Sequence, residues 1–127
     1  MAKILIADDD PQTREMLEET LEEFEAYGVE LIVAGNGMEA LEAIRQQKPE
    51  LAFLDSLMPK MNGLEVCNTV KKQYGIRDIR IIVLAAEGQD YEIGQLSEAG
   101  ADGSLMKPLD PDEVYETAAR ALGLPAI

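Results

Sequence analysis

A chain of 127 residues has the length of one domain and buries roughly two-thirds of its unfolded surface around a single core. Its 25 acidic against 11 basic residues leave a net charge of -14, which repels phosphate backbones and anionic membranes, so direct nucleic-acid or membrane binding is not expected. One cysteine, Cys67, rules out a disulfide framework within the chain, and the longest apolar stretch, residues 81–86, is far too short for a membrane span, so a cytoplasmic protein is the default expectation.

The first apolar run, residues 3–7, ends on Asp8 and Asp9. Runs this short with so little polar alternation read as strands buried on both faces. Asp10 and Pro11 supply an N-cap and a proline at the first helical position, opening a helix that buries Leu17, Leu21 and Phe24. The glutamates at positions 15, 18, 19, 22, 23 and 25 form its solvated face. A second strand is expected at residues 31–34, followed by a helix that Asn36 and Glu39 open as a capping box. The third strand, residues 51–54, runs into Asp55, and Asn62 with Glu65 repeats the capping box. Cys67 lies in an apolar helical pattern beside Val66 and Val70, where a small core residue is the simplest reading. A fourth strand is expected at residues 79–86, and a fourth helix within 89–99, weakened by Gly94. The fifth strand, residues 103–106, runs into Lys107 and Pro108. Asp110, Pro111 and Glu113 then open the last helix as a capping box, with Leu109 placed to staple against Val114.

Strands alternating with helices at this spacing imply right-handed crossovers, hence a single α/β domain over residues 1–127 with a doubly wound parallel sheet. In such sheets ligands bind outside the carboxyl ends of the strands, where the strand order reverses. Asp8, Asp9, Asp55 and Lys107 would then meet at one edge. Two unit charges about 4 Å apart repel by roughly 4 kcal/mol at an effective dielectric near 20, so three carboxylates against one ammonium need a further cation. Mg²⁺ suits a site of carboxylates, a carbonyl, waters and a phosphoryl oxygen, and the constellation reads as a magnesium-dependent phosphoryl acceptor.

The segments ILIADDDPQTR, ELAFLDSLMPKMNGLEV, IIVLAAEG and SLMKPLD together resemble the response regulator receivers of two-component signalling, over essentially the whole chain. The resemblance implies a flavodoxin-like sheet of order 2-1-3-4-5 with five helices and no output domain within the chain. It implies that Asp55 is the phosphoacceptor, that Asp9 and Asp55 bind Mg²⁺ directly, Asp8 more through water, and that the backbone carbonyl of Leu57 completes the protein ligands. Lys107 would balance the transferring phosphoryl group, held by a cis peptide to Pro108. The chain has no histidine, so the phosphohistidine donor belongs to a partner histidine kinase or histidine phosphotransfer protein.

Two positions depart from the family pattern. Ala85 stands where a Thr or Ser hydroxyl usually bonds the phosphoryl group, and Ser104 stands where an aromatic ring is common. The lost hydrogen bond is worth roughly 1–3 kcal/mol toward a charged acceptor. Leu57 and Glu87 occupy the places that in the family help set phosphoaspartate lifetime. Leu57 cannot orient an attacking water, whereas Glu87 can. The leading expectation is therefore a phosphorelay receiver, a signalling domain that assists its own phosphorylation, either stand-alone or part of a larger regulator. A phosphorylation-independent pseudo-receiver is the alternative. An aspartate-nucleophile hydrolase would carry a second acid two residues beyond the nucleophile, where Leu57 stands, and no glycine-rich loop follows the first strand to support flavin or nucleotide binding.

Overall fold

Although the strand sequences are almost wholly apolar, their residues divide strictly by parity between two cores. In the computed structural model, which describes residues 2–85 and 93–124, Leu5, Ala7, Ala52, Leu54, Ile81 and Val83 enter one core. Ile4, Ile6, Leu51, Phe53, Ile82 and Leu84 enter the other. Side chains of a strand alternate between sheet faces, so a strand covered on both sides must be apolar throughout.

The strands are β1 (Lys3–Ala7), β2 (Glu30–Ala34), β3 (Leu51–Asp55), β4 (Arg80–Ala85) and β5 (Gly103–Met106). All pairings are parallel, in the order β2-β1-β3-β4-β5. The helices are α1 (Pro11–Leu21), α2 (Gly37–Gln47), α3 (Gly63–Asn68), α4 (Ile93–Ala99) and α5 (Pro111–Leu122). Residues of α2, α3 and α4 close the first core, while α1 and α5 close the second, where Phe24 stacks on Tyr115 with ring centroids 4.7 Å apart. The five-stranded order and the five helices are those the sequence implied.

Several boundaries moved for local reasons. The fourth strand starts at Arg80, where its register with β3 begins opposite Leu51, and the Ile79 carbonyl just before it accepts the Lys71 ammonium at 2.7 Å. Residue 86, expected in that strand, and residues 89–92, expected in the fourth helix, lie outside the described residues. Phe24 is buried as expected, but on a 3₁₀ extension, Glu22–Tyr27, that follows α1 and ends on Gly28 at φ 82°. Of the three capping boxes, only Asn62 with Glu65 closes in both directions. Asn36 accepts the Glu39 N–H at 2.9 Å, while the Glu39 carboxylate turns to the Gly35 N–H. Asp110 accepts from Asp112 at 2.9 Å and its box with Glu113 does not form, so that this cap, like Asp10 on Gln12, serves the second helical residue. Leu109 and Val114 lie in one apolar cluster, as a staple requires.

Candidate functional site

Three parallel strands bring their carboxyl ends side by side: β1 pairs with β3 and β3 with β4, so Ala7 lies beside Leu54 and Asp55 beside Leu84. The residues that follow must therefore share one edge. Asp8 is wholly buried and Asp9 exposed, as alternation along an extended chain dictates. Oxygens of Asp8, Asp9 and Asp55 lie within 4.8 Å of one another. From the far side β5 delivers Lys107, whose backbone N–H donates to the Ala85 carbonyl at 2.8 Å and whose peptide to Pro108 is cis. The Lys107 ammonium stands 2.9 Å from Asp8 Oδ2 and 3.3 Å from Asp55 Oδ1.

Each acid is held by a different device. Asp8 Oδ1 accepts the Asp10 N–H at 2.9 Å, and the Asp8 carbonyl accepts the Arg14 guanidinium at 2.7 Å. Asp55 Oδ1 accepts the Leu57 N–H at 3.3 Å. Behind Asp55 the chain folds back tightly: Lys60 adopts φ 70°, and a Cβ at Gly63 would lie 2.4 Å from the Asp55 carbonyl oxygen. Only glycine lets the first turn of α3 press against the end of β3 in this way. Gly37 does the same at the start of α2, where a Cβ would meet the Met61 carbonyl.

Electrostatically the pocket is incomplete. Burial, reinforced by the neighbouring Asp8 charge and only partly opposed by Lys107, pushes the Asp55 carboxyl up to about 6. Burial alone would lower the Lys107 ammonium, but its bonds to Asp8 and its attraction to Asp55 leave it above its ordinary value. Asp8 Oδ2 is buried and, apart from the ion pair with Lys107, accepts no well-directed hydrogen bond. A buried, half-satisfied carboxylate oxygen beside two more carboxylates is a donor set that fits a hard divalent cation. The acidic cluster is thus able to hold a metal ion.

The remaining expected positions are placed less symmetrically. Leu57 donates its N–H to Asp55 while its side chain is 53% exposed, leaving an apolar group beside the acid. Ala85 ends β4, buried, with its Cα paired to Met106. Ser104 pairs with Val83 and is exposed on the edge strand. Glu87 lies outside the described residues. Reading by sequence passed over Arg14 and the close packing at Gly37; for Gly63 the signal was present in the Asn62-Gly63 turn pair. Cys67 is fully buried and its thiol is pushed up to about 11 by burial, the property of an inert core residue.

Comparison with known proteins agrees with this geometry. The family described as response regulator receiver domain matches residues 4–119. The DNA-binding response regulator MtrA of Mycolicibacterium smegmatis is 37% identical over 112 residues, covering 88% of this chain and 46% of that protein. A probable transcriptional regulator of Pyropia yezoensis is 39% identical over the same length, covering 88% and 44%. The chain therefore spans about half the length of these curated relatives. Among solved structures, a response regulator of Chloroflexus aurantiacus superposes with a TM-score of 0.83 at 32% identity, covering 96% of this chain and 98% of that one. A chemotaxis response regulator of Vibrio cholerae superposes at 0.82 and 30% identity, covering 95% and 98%.

Proposed function

The chain belongs to the response regulator receiver family, and on that premise we propose that Asp55 accepts a phosphoryl group from the phosphohistidine of a histidine kinase or phosphotransfer protein and passes the signal by protein contact. The observation that carries the reading is the convergence of Asp8, Asp9 and Asp55 with Lys107 spanning Asp8 and Asp55. In the transfer an Asp55 carboxylate oxygen attacks phosphorus, the phosphorus–nitrogen bond to the donor imidazole breaks, and that nitrogen leaves with the bonding electron pair and takes up a proton. An acyl phosphate results. The carboxylate must be ionised to attack, which a pKa of about 6 permits at neutral pH.

Mg²⁺ is the ion we assign to the site, with Asp9, Asp55 and the Leu57 carbonyl as ligands and Asp8 acting more through water; when bound it spreads the negative charge of the transferring group. Lys107 would add to the same charge stabilisation, since its ammonium already lies 3.3 Å from an oxygen of the accepting carboxylate. Leu57, whose side chain is apolar, offers no hydrogen bond from that side chain to an attacking water. The role is that of a signalling acceptor that assists its own modification. In this reading the chain works in the cytoplasm; among the described residues no helix is long and apolar enough to cross a membrane. DNA binding, which the MtrA relative has by its name, would belong to a longer protein carrying this receiver, because a net charge of -14 sets the receiver itself against a phosphate backbone.

Incubation with a small acyl-phosphate donor and Mg²⁺, followed by intact-mass spectrometry, tests the proposal. One added phosphate is expected with Mg²⁺ and none without it. Equal modification of Asp55→Asn would remove Asp55 as acceptor. A second reading, a receiver that binds partners regardless of phosphate, is favoured by Ala85, which brings no hydroxyl to the end of β4. Failure of the parent to take up phosphate from any donor would select it.

A further inference from the structure

At the amino edge of the sheet, opposite the acid cluster, a cavity of about 230 Å³ opens between the end of α2 and the loop leading into β4. Its floor is apolar and buried, formed by Ile44, Pro49 and Ile79. Its rim is cationic. Arg45, Lys48 and Arg77 are all exposed, and among the described residues none of them forms an ion pair. Among the described residues, Asp78 is the one acid that lines it. A chain with 25 acids and 11 bases thus inverts its own charge balance around one apolar hollow.

The rim is also held in place. The Arg45 guanidinium lies 5.2 Å from the centre of the Tyr74 ring, which fixes a side chain otherwise free to swing into water. Lys48 caps α2 in the left-handed conformation at φ 51°, with its N–H bonded to the Ile44 carbonyl. Gly75, at φ 65°, leaves the mouth open where a side chain would stand. The volume is below the roughly 300–1,000 Å³ of ordinary small-molecule pockets and is large enough to admit one aliphatic or aromatic side chain.

We propose that this cavity docks an acidic segment of a partner protein, one apolar side chain of which enters the hollow between Ile44 and Ile79 while flanking carboxylates pair with Arg45, Lys48 and Arg77. The apolar anchor supplies affinity through a desolvated contact, and the rim charges steer the encounter and select against basic segments. A strand of five residues is about 17 Å long at roughly 3.3 Å per residue, so the dock lies a full strand length from the acid cluster and a partner can hold both states of Asp55.

The test uses the full chain, labelled with nitrogen-15 and titrated at low salt with an acetylated, amidated pentapeptide, Glu-Glu-Phe-Glu-Glu. Saturable shifts are expected at the amides of Lys48, Gly75, Ile76 and Asp78, with affinity weakened at least about fivefold in the Arg45→Glu, Arg77→Glu double variant. A peptide with Ala in place of Phe should weaken similarly, which keeps the test decisive should the variant misfold. The proposal is overturned by absence of saturation up to about 1 mM peptide, by shifts scattered over the surface, or by equal binding of the Ala peptide. Equal shifts with phenylacetate alone would make this a small-anion site instead, and concentration-dependent shifts at these amides without peptide would make the occupant a second copy of the chain. Either result would also overturn it.

Discussion

Asp55 is held where its charge is least welcome, so replacing it with the neutral isostere should stabilise the metal-free protein. Its carboxyl is raised from 3.8 to about 6, chiefly by burial and next by the charge of Asp8. An acid whose folded pKa lies above its unfolded one binds more protons when folded, so its contribution to stability falls as pH rises from about 4 through 6. At about 1.4 kcal/mol for each pH unit between the two values, the ionised carboxyl destabilises the fold by about 3 kcal/mol at pH 7.5, a ceiling because water entering the site shares the charge. Asp55→Asn keeps an oxygen for the Leu57 N–H and leaves Lys107 paired with Asp8. At about 4 °C per kcal/mol for a domain of this size, the variant should melt up to about 12 °C above the parent. The gap should shrink to roughly 0.6 kcal/mol at pH 4, where the parent carboxyl is protonated in the folded state. Thermal melts of both proteins in chelator at pH 7.5, 6 and 4 measure it, and added Mg²⁺ at pH 7.5 should close the gap as well. A variant no more stable than the parent at pH 7.5, or a gap that does not narrow on acidification, would refute the claim that Asp55 is buried among like charges.

Gly63→Ala places a methyl group 2.4 Å from the Asp55 carbonyl oxygen, so urea unfolding should show a loss of about 1–3 kcal/mol as α3 is pushed off β3; a neutral result would mean the close approach is not fixed. Lys107→Met removes the ammonium beside Asp8 Oδ2 and Asp55 Oδ1 and should cost about 1–3 kcal/mol at pH 8. In the same variant, carbon-13 NMR should find the Asp55 carboxyl titrating above about 6, and an unchanged titration would deny Lys107 its role. Ala85→Thr combined with Ser104→Tyr restores a hydroxyl and a ring, and beryllofluoride with Mg²⁺ should then shift the amides of residues 96–106 more than in the parent. Shifts of equal size in the two proteins would show that the response runs through other residues.

Much of this was legible in sequence order because it depends on neighbours in the chain. Asp10 before Pro11, Asn62 before Glu65 and short apolar runs between helical patterns are local signals, and they placed the five strands to within a residue or two. Convergence of Asp8, Asp9, Asp55 and Lys107 also followed, because parallel strands carry whatever ends them to one edge. What needed tertiary structure were the choices among partners that are close in space and far in sequence. Nothing in the order of residues says that Glu39 bonds Gly35 in preference to closing its box, or that Lys71 takes the Ile79 carbonyl. The same holds for the raised carboxyl of Asp55, which comes from burial and from Asp8, a residue 47 positions away on another strand. Arg45, Lys48 and Arg77 look like scattered surface charges until the end of α2 and the approach to β4 are packed side by side. Capping and periodicity act within a turn or two of the chain; desolvation and charge act through space, and only the fold sets those distances.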